Sequence, residues 1–295
     1  MKDIKIVFMG TPDFAVPIFK ALADNYNVVA VVTQPDKKVG RKQILTPTPI
    51  KEASALYNTP VLQPVKIRDE YEEVLKYEPD MIVTCAYGQI LPKELLDYPK
   101  YKCINVHASL LPKLRGGAPI HHAIMDGYDK TGITIMYMDV KMDAGDIISQ
   151  IETVITKNDT LGSLHDRLSE MGKDLLLETL PNIISGNINP IKQDESEVTY
   201  GYNITKEDEK IDFTKTNTEI DNKIRALNPT PGAYTTLNGK RLKVYDVRLS
   251  DRYYSDTEPG TIVGFEKDGI RVVTGDKEII LTDIALEGKT RCLVK

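Results

Sequence analysis

The chain has 295 residues, 41% hydrophobic and 27% charged, with a formal net charge of −5 at pH 7. This length predicts two domains. The negative net charge argues against a protein that binds nucleic acid through an overall positive charge. The N-terminus lacks the apolar core of a secretion signal, and no apolar stretch approaches the roughly 20 residues that span a bilayer. The widely spaced cysteines, which show no metal-ligand pairing, predict a reducing cytoplasm; they are Cys85, Cys103 and Cys292.

The first 110 residues alternate between apolar strand-length runs and helix-like segments. Such runs predict a Rossmann-like α/β domain with a mostly parallel sheet. The predicted strands are Ile4–Met9, Asn27–Thr33, Val61–Leu62, Met81–Thr84 and Lys102–Val106. The turn that begins at Gly10 has one glycine where a dinucleotide site needs several, and it lacks a P-loop lysine. We therefore predict no nicotinamide or nucleoside triphosphate site.

A basic, proline-rich segment extends from Thr33 to Pro49. It carries Lys37, Lys38, Arg41 and Lys42 and is longer than the two to six residues usual for compact α/β connections. The segment is either a mobile surface loop or a clamp that contacts phosphate groups.

The stretch from Cys103 to Gly117 is the strongest candidate for a site. Alternate residues of a strand face the same side, so Asn105 and His107 are predicted to project together at the end of a strand. Open α/β sheets bind ligands at that edge. The structural alternative is a strand end with a capping asparagine and a packed histidine.

The second half predicts strands at Thr131–Asp139 and Ile147–Ile155, a long helix at Leu161–Ile184 and a polar linker at 186–209. After a helix at Glu219–Leu227, five short strands with intervening Asn-Gly, Pro-Gly and Asp-Gly turns predict a small β-barrel of OB-like type.

Several motifs occur in one order along the chain and together resemble the methionyl-tRNA formyltransferase family. They are Phe8–Phe14, Thr33–Asp36, Gly40-Arg41, Ala86–Gly88, Asn105–His107, Ser109–Pro112, Arg115-Gly116, Met138–Asp146 and Asn228–Ala233. The resemblance implies a catalytic domain at residues 1–185, a linker at 186–205 and an OB-like tRNA-binding domain at 206–295. The implied reaction transfers the formyl group of 10-formyltetrahydrofolate to the α-amino group of initiator methionyl-tRNA.

The resemblance also implies roles for individual residues. The implied catalytic residues are Asn105, His107 and Asp143. The implied folate-binding residues are Ser109, Leu110, Leu111 and Pro112. Arg41 and Lys42 are implied to bind tRNA, with Arg41 at the acceptor arm. The mechanism requires no metal, and we expect a monomer with no membrane association.

Two departures and two rival functions accompany the resemblance. Ala108 stands where some relatives have glycine, and the chain ends at Lys295 where the family usually continues, which is expected to shorten the last barrel element. The motifs at Asn105, His107 and Asp143 are shared with nucleotide-sugar formyltransferases, so such an enzyme is the first rival. The second rival is a non-catalytic tRNA-binding module with a decayed enzyme domain.

Overall fold

The computed structural model describes residues 3–40 and 42–294, which form two compact units. One unit runs up to Gly117 and also contains Thr131–Thr153 and His165–Tyr200. The other contains Ala118–Lys130, Val154–Leu164 and the chain from Gly201 onward.

The first unit is built on a seven-stranded sheet of order β5-β2-β1-β6-β7-β8-β9. Strands β5, β2, β1, β6 and β7 are parallel, and β8 is antiparallel to β7. The strands of this unit are β1 (Lys5–Gly10), β2 (Asn27–Val32), β3 (Lys37–Val39), β4 (Ile44–Thr46), β5 (Val61–Leu62), β6 (Met81–Cys85), β7 (Cys103–His107), β8 (Lys130–Tyr137) and β9 (Ile147–Val154). The predicted Rossmann-like class is confirmed.

Both units also contain helices. They are α1 (Val16–Asn25), α2 (Pro49–Ala55), α3 (Ile67–Leu75), α4 (Lys93–Asp97), α5 (Pro119–Met125), α6 (Leu161–Ser185) and α7 (Asn217–Ala226), and short 3-10 helices span Asp13–Ala15 and Glu195–Glu197. Among residues 3–40 and 42–294, no helix is long and apolar enough to cross a membrane.

Both faces of the parallel sheet are buried, which explains its nearly continuous apolar strands. On β1, Val7 and Met9 pack in one core cluster, while Phe8, facing the other way, packs its ring 5.6 Å from that of Phe19 on α1. A parallel sheet needs such cover on both sides. Cys103 belongs to this core, and burial raises the pKa of its thiol to about 12, so it remains protonated.

The basic segment after β2 contains structure that the sequence did not indicate. Strands β3 and β4 form an antiparallel hairpin, with Lys37 opposite Thr46 and Val39 opposite Ile44. The apolar side chains at its tip are exposed. We call the segment Lys37–Thr46 the basic hairpin.

The second unit contains an antiparallel sheet of order β10-β11-β14-β13-β12, with β15 also paired to β14. Its strands are β10 (Ala233–Leu237), β11 (Lys240–Ser250), β12 (Ile262–Glu266), β13 (Gly269–Val273), β14 (Glu278–Leu286) and β15 (Cys292–Leu293). Ile220 and Ile224 of α7 share a core with Leu242, Val244 and other sheet residues. The predicted carboxyl-terminal β-sheet domain is thus confirmed as an antiparallel sheet, although within the described part of the chain its end strands β10 and β12 do not pair with each other.

A buried carboxylate stabilises this second unit. Glu278 is fully buried and accepts hydrogen bonds from Ser250, Tyr254 and Arg271. Burial acts to raise the pKa of Glu278, but these hydrogen bonds together lower it below its ordinary value. The carboxylate is therefore held in its charged form.

Candidate active site

Strand β7 ends in the two polar residues that the sequence singled out. It lies between the parallel strand β6 and the antiparallel strand β8, at the end of the parallel part of the sheet. Asn105 is partly exposed, whereas His107 has only 6% of its surface exposed. Both residues lie where an open α/β sheet presents ligand-binding groups.

The amide of Asn105 is held on one side by Thr84. The Thr84 hydroxyl lies 2.8 Å from Asn105 Oδ1 and donates to it. The carbonyl oxygen of Ile104 and Met138 Sδ each lie 3.2 Å from the same hydroxyl, so Asn105 offers the closest acceptor. In the described part of the chain Asn105 Nδ2 has no protein acceptor, so its N–H groups are available to a bound molecule.

The hydrogen bond of His107 determines which ring nitrogen carries the proton. Nε2 lies 3.0 Å from the carbonyl oxygen of Leu114, which can only accept, so Nε2 donates. Nδ1 lies 3.8 Å from Asp143 Oδ1. This separation is too long for a hydrogen bond but allows a carboxylate to stabilise the imidazolium ring. Nδ1 is therefore the atom that can gain or lose a proton.

Asp143 lies in the loop between β8 and β9, far from His107 in sequence. Its φ of +51° is in the left-handed region, which costs a residue other than glycine roughly 1–3 kcal/mol. The Gly116 N–H donates to Asp143 Oδ2 at 2.8 Å, which leaves Oδ1 facing His107. The structure thus brings together the histidine and the carboxylate whose proximity only the family resemblance had implied.

A cavity of about 450 Å³, including space open to solvent, adjoins these groups. Asn105 and Asp143 line it together with Gln89, Asp139 and the apolar residues Ile90, Leu91, Met136, Met138, Val140 and Met142. Apolar walls with a small number of polar groups are typical of a site for a small organic molecule.

The segment Ser109–Pro112 lies directly after β7. Ser109 is fully buried and donates its hydroxyl to the Lys113 carbonyl at 2.6 Å, and Leu111 is also buried. Leu110 and Pro112 are partly exposed. Any contact with a ligand would therefore be made mainly by these two residues or by backbone groups.

The basic hairpin presents several of the candidate phosphate-binding side chains. Lys42 is exposed, as are Lys37 and Lys38, whereas Arg41 lies outside the described residues. Lys51 is instead paired with Asp36 at 2.6 Å, and the hydrogen bonds from Lys51 and Gln63 lower the pKa of the Asp36 carboxyl. Lys51 therefore forms an ion pair beside the basic hairpin, and its charge is already neutralised by Asp36.

Sequence reasoning missed Thr84, the cavity-lining methionines and Gln193. Thr84 lies in an apolar strand and looks like an ordinary buried residue. The side-chain amide of Gln193 donates to the backbone carbonyls of Asp143 and Gly145, both at 2.8 Å. Its position in a polar stretch without periodicity gave no signal for this contact.

The chain matches two family models over most of its length. Residues 4–180 match the model described as formyl transferase, and residues 203–295 match the formyl transferase C-terminal domain.

Individual relatives agree with these matches. A methionyl-tRNA formyltransferase of Bacillus cytotoxicus is 57% identical over 292 residues, covering 98% of this chain and 93% of that protein. An N-formyltransferase of Helicobacter canadensis, solved with folinic acid and dTDP-3-aminofucose, has a TM-score of 0.70 at 22% identity and covers 94% of this chain and 98% of its own. A methionyl-tRNA formyltransferase of Clostridium thermocellum has a TM-score of 0.59 at 21% identity over 84% of this chain and 94% of its own. The two solved structures show the shared fold.

Proposed function

The chain belongs to the formyl transferase family, and we propose that it transfers the formyl group of 10-formyltetrahydrofolate to the α-amino group of initiator methionyl-tRNA. The 57% identity to proteins named methionyl-tRNA formyltransferase supports the tRNA substrate over an amino sugar. The observation that carries the chemistry is the grouping of Asn105, His107 and Asp143, with Asn105 and Asp143 on the wall of one cavity.

Formyl transfer between two nitrogens imposes three tasks on the site. The amine nitrogen forms a bond to the formyl carbon, negative charge develops on the formyl oxygen, and N10 of the folate leaves after gaining a proton. The amine must also lose a proton, so the site needs both an oxyanion donor and a group that moves protons.

Asn105 is the proposed oxyanion donor. Its Nδ2 group has no acceptor among the described residues, while its Oδ1 is bound by Thr84. A donor held in this way is already oriented when charge develops on the formyl oxygen. One such hydrogen bond contributes roughly 3–4 kcal/mol to transition-state stabilisation in other acyl-transfer sites.

His107 is the proposed proton carrier, and Asp143 supports it. Because Nε2 is occupied by the Leu114 carbonyl, Nδ1 takes the proton and returns it to the leaving nitrogen. The Asp143 carboxylate stabilises the imidazolium while the proton is held. It can also accept a proton from the incoming ammonium group through water.

The folate is proposed to occupy the cavity beside Asn105 and Asp143, with Ser109–Pro112 forming part of the same site. The apolar lining from Ile90 to Met142 suits a flat pterin ring. Leu110 and Pro112 are the members of the Ser109–Pro112 segment with exposed surface and are the proposed apolar contacts.

The basic hairpin is proposed to contact the tRNA, with Arg41 at the acceptor arm and Lys42 beside it. Support comes from the exposure of Lys37, Lys38 and Lys42 on one short hairpin. Lysines at such a surface bind phosphates and give salt-dependent affinity. We further propose that the enzyme acts as a monomer in the cytoplasm, in keeping with the unpaired cysteines of the described chain.

One assay tests the proposed function. Purified protein is incubated with 10-formyltetrahydrofolate and methionyl-tRNA, and N-formylmethionine is quantified after hydrolysis of the ester. We expect initiator tRNA to be formylated faster than elongator tRNA. Formylation of a nucleotide-linked amino sugar in preference to tRNA would show a sugar enzyme, and absence of transfer to either, with tRNA binding retained, would show a non-catalytic binding module.

A further inference from the structure

The backbone of the loop that carries Asp143 has an unfavourable conformation, which neighbouring residues must stabilise. Its left-handed φ of +51° is unfavourable for a residue other than glycine. At nearby Gly145 the loop passes so close to β8 that a Cβ atom would lie 1.8 Å from the carbonyl oxygen of Tyr137. The loop therefore follows a constrained path that needs partners for its backbone groups.

Gln193 supplies two of these partners. Its Nε2 group lies 2.8 Å from the carbonyl oxygen of Asp143 and 2.8 Å from that of Gly145. An amide nitrogen carries two hydrogens, so each carbonyl receives its own hydrogen bond. One side chain thereby joins the backbone on both sides of Ala144.

The orientation of the Gln193 amide is determined by a buried arginine. Arg115 Nε donates to Gln193 Oε1 at 3.0 Å, which directs Nε2 toward the two carbonyls. Arg115 is 3% exposed, and its terminal nitrogens lie 2.8 and 3.4 Å from the two carboxylate oxygens of Glu195. A reversed amide would place two donors against each other at Arg115.

The residues on either side of Arg115 contact the proposed catalytic pair directly. Leu114 accepts from His107 Nε2, and Gly116 donates to Asp143 Oδ2. Gln193 therefore completes a closed ring of contacts in which the 114–116 segment, the Asp143 loop and His107 are fixed relative to one another.

We propose that Gln193 is a positioning residue that maintains the distance and direction between Asp143 and His107 without touching substrate. This inference rests on the proposed formyl transfer. Gln193 therefore affects turnover only by positioning Asp143.

The test measures steady-state formylation by Gln193→Ala. We expect kcat to fall by about 100-fold, the size of loss that a misplacement of about 1 Å produces. The KM values for folate and tRNA should stay within about threefold of wild type, because Gln193 contacts only protein groups. Asn25→Ala is the matched control, because it also removes a side-chain amide that donates to a backbone carbonyl, that of Ala21, and it should leave kcat unchanged.

A double-mutant cycle separates positioning from general destabilisation. If Gln193 acts through Asp143, adding Gln193→Ala to Asp143→Asn should change kcat by less than about threefold. A further 100-fold loss in that background would overturn the inference, as would a normal kcat in Gln193→Ala.

A second variant keeps the test decisive if the alanine variant folds poorly. Gln193→Glu retains the volume and an acceptor for Arg115, but it places an oxygen against the two carbonyls. We expect it to lose activity at least as strongly, with thermal unfolding followed by circular dichroism as the check on folding. An inactive wild-type protein would instead refute the proposed function itself.

Discussion

Replacing Asp143 with asparagine isolates the charge of that side chain. An asparagine oxygen can still accept from the Gly116 N–H, now 2.8 Å from Asp143 Oδ2, so the loop keeps this contact. The amide nitrogen would then face His107 Nδ1 and could no longer stabilise a positive ring. Asparagine also tolerates the left-handed backbone at this position.

The expected loss follows from the distance between the two groups. Opposite unit charges 3.8 Å apart attract by roughly 4 kcal/mol at an effective dielectric constant of about 20. The Asp143 side chain is 17% exposed, so solvent screening makes this value an upper limit. We therefore expect a fall in kcat of up to roughly 1,000-fold, which corresponds to this upper limit.

Single-turnover formylation of methionyl-tRNA at saturating folate measures this step without product release. The thermal unfolding midpoint of Asp143→Asn should match that of wild type, because the hydrogen bond to Gly116 is retained. A rate within about threefold of wild type would refute the role of the Asp143 charge and leave His107 to act alone.

The remaining predictions concern His107 as the proposed proton carrier, the basic hairpin and the second unit. His107→Ala should lower turnover by roughly 100- to 10,000-fold, and near-normal single-turnover formylation would exclude a role in proton transfer. Arg41→Ala and Lys42→Ala should each raise KM for methionyl-tRNA far more than KM for folate, and each should make KM for methionyl-tRNA less dependent on salt concentration. Equal effects on both substrates would argue against the hairpin as a tRNA contact. Glu278 has a lowered pKa in the folded state, so its stabilising contribution is present above the unfolded value of about 4.3 and is lost as pH falls through the folded value. Glu278→Gln should therefore unfold with a weaker pH dependence below about pH 4 in thermal melts, and identical profiles for the two proteins would contradict this account.

Much of the fold could be read from local patterns. The apolar runs of the parallel sheet predicted their strands to within a residue or two, because strands buried on both faces carry little else. The basic hairpin was missed, since its strands are short, exposed and surrounded by prolines that favour a loop. The polar stretch after α6 was predicted as a linker, yet its Gln193 contacts the Asp143 loop.

The site could be predicted only in part. Strand alternation was enough to predict that Asn105 and His107 share one face of β7, because the relation between residues two apart in a strand is local. Asp143 lies in a loop 36 residues after His107. No local sequence pattern predicts that the two side chains come close to each other. The role of Thr84 could not be predicted either. A threonine in an apolar strand looks the same in the sequence whether or not its hydroxyl orients an asparagine.

The hydrogen bonds from Gln193 to the Asp143 loop have a consequence for truncated fragments of this chain and for the order in which its parts emerge during translation. A fragment ending at Ser185, after α6, would contain Asn105, His107 and Asp143, as well as the whole region matched by the amino-terminal family model. It would lack Gln193 and also Thr199, whose side chain accepts from the Leu114 N–H at 2.9 Å. During translation, the proposed catalytic residues therefore emerge from the ribosome well before the residues proposed to position them. The shortest fragment able to support turnover should end no earlier than Tyr200.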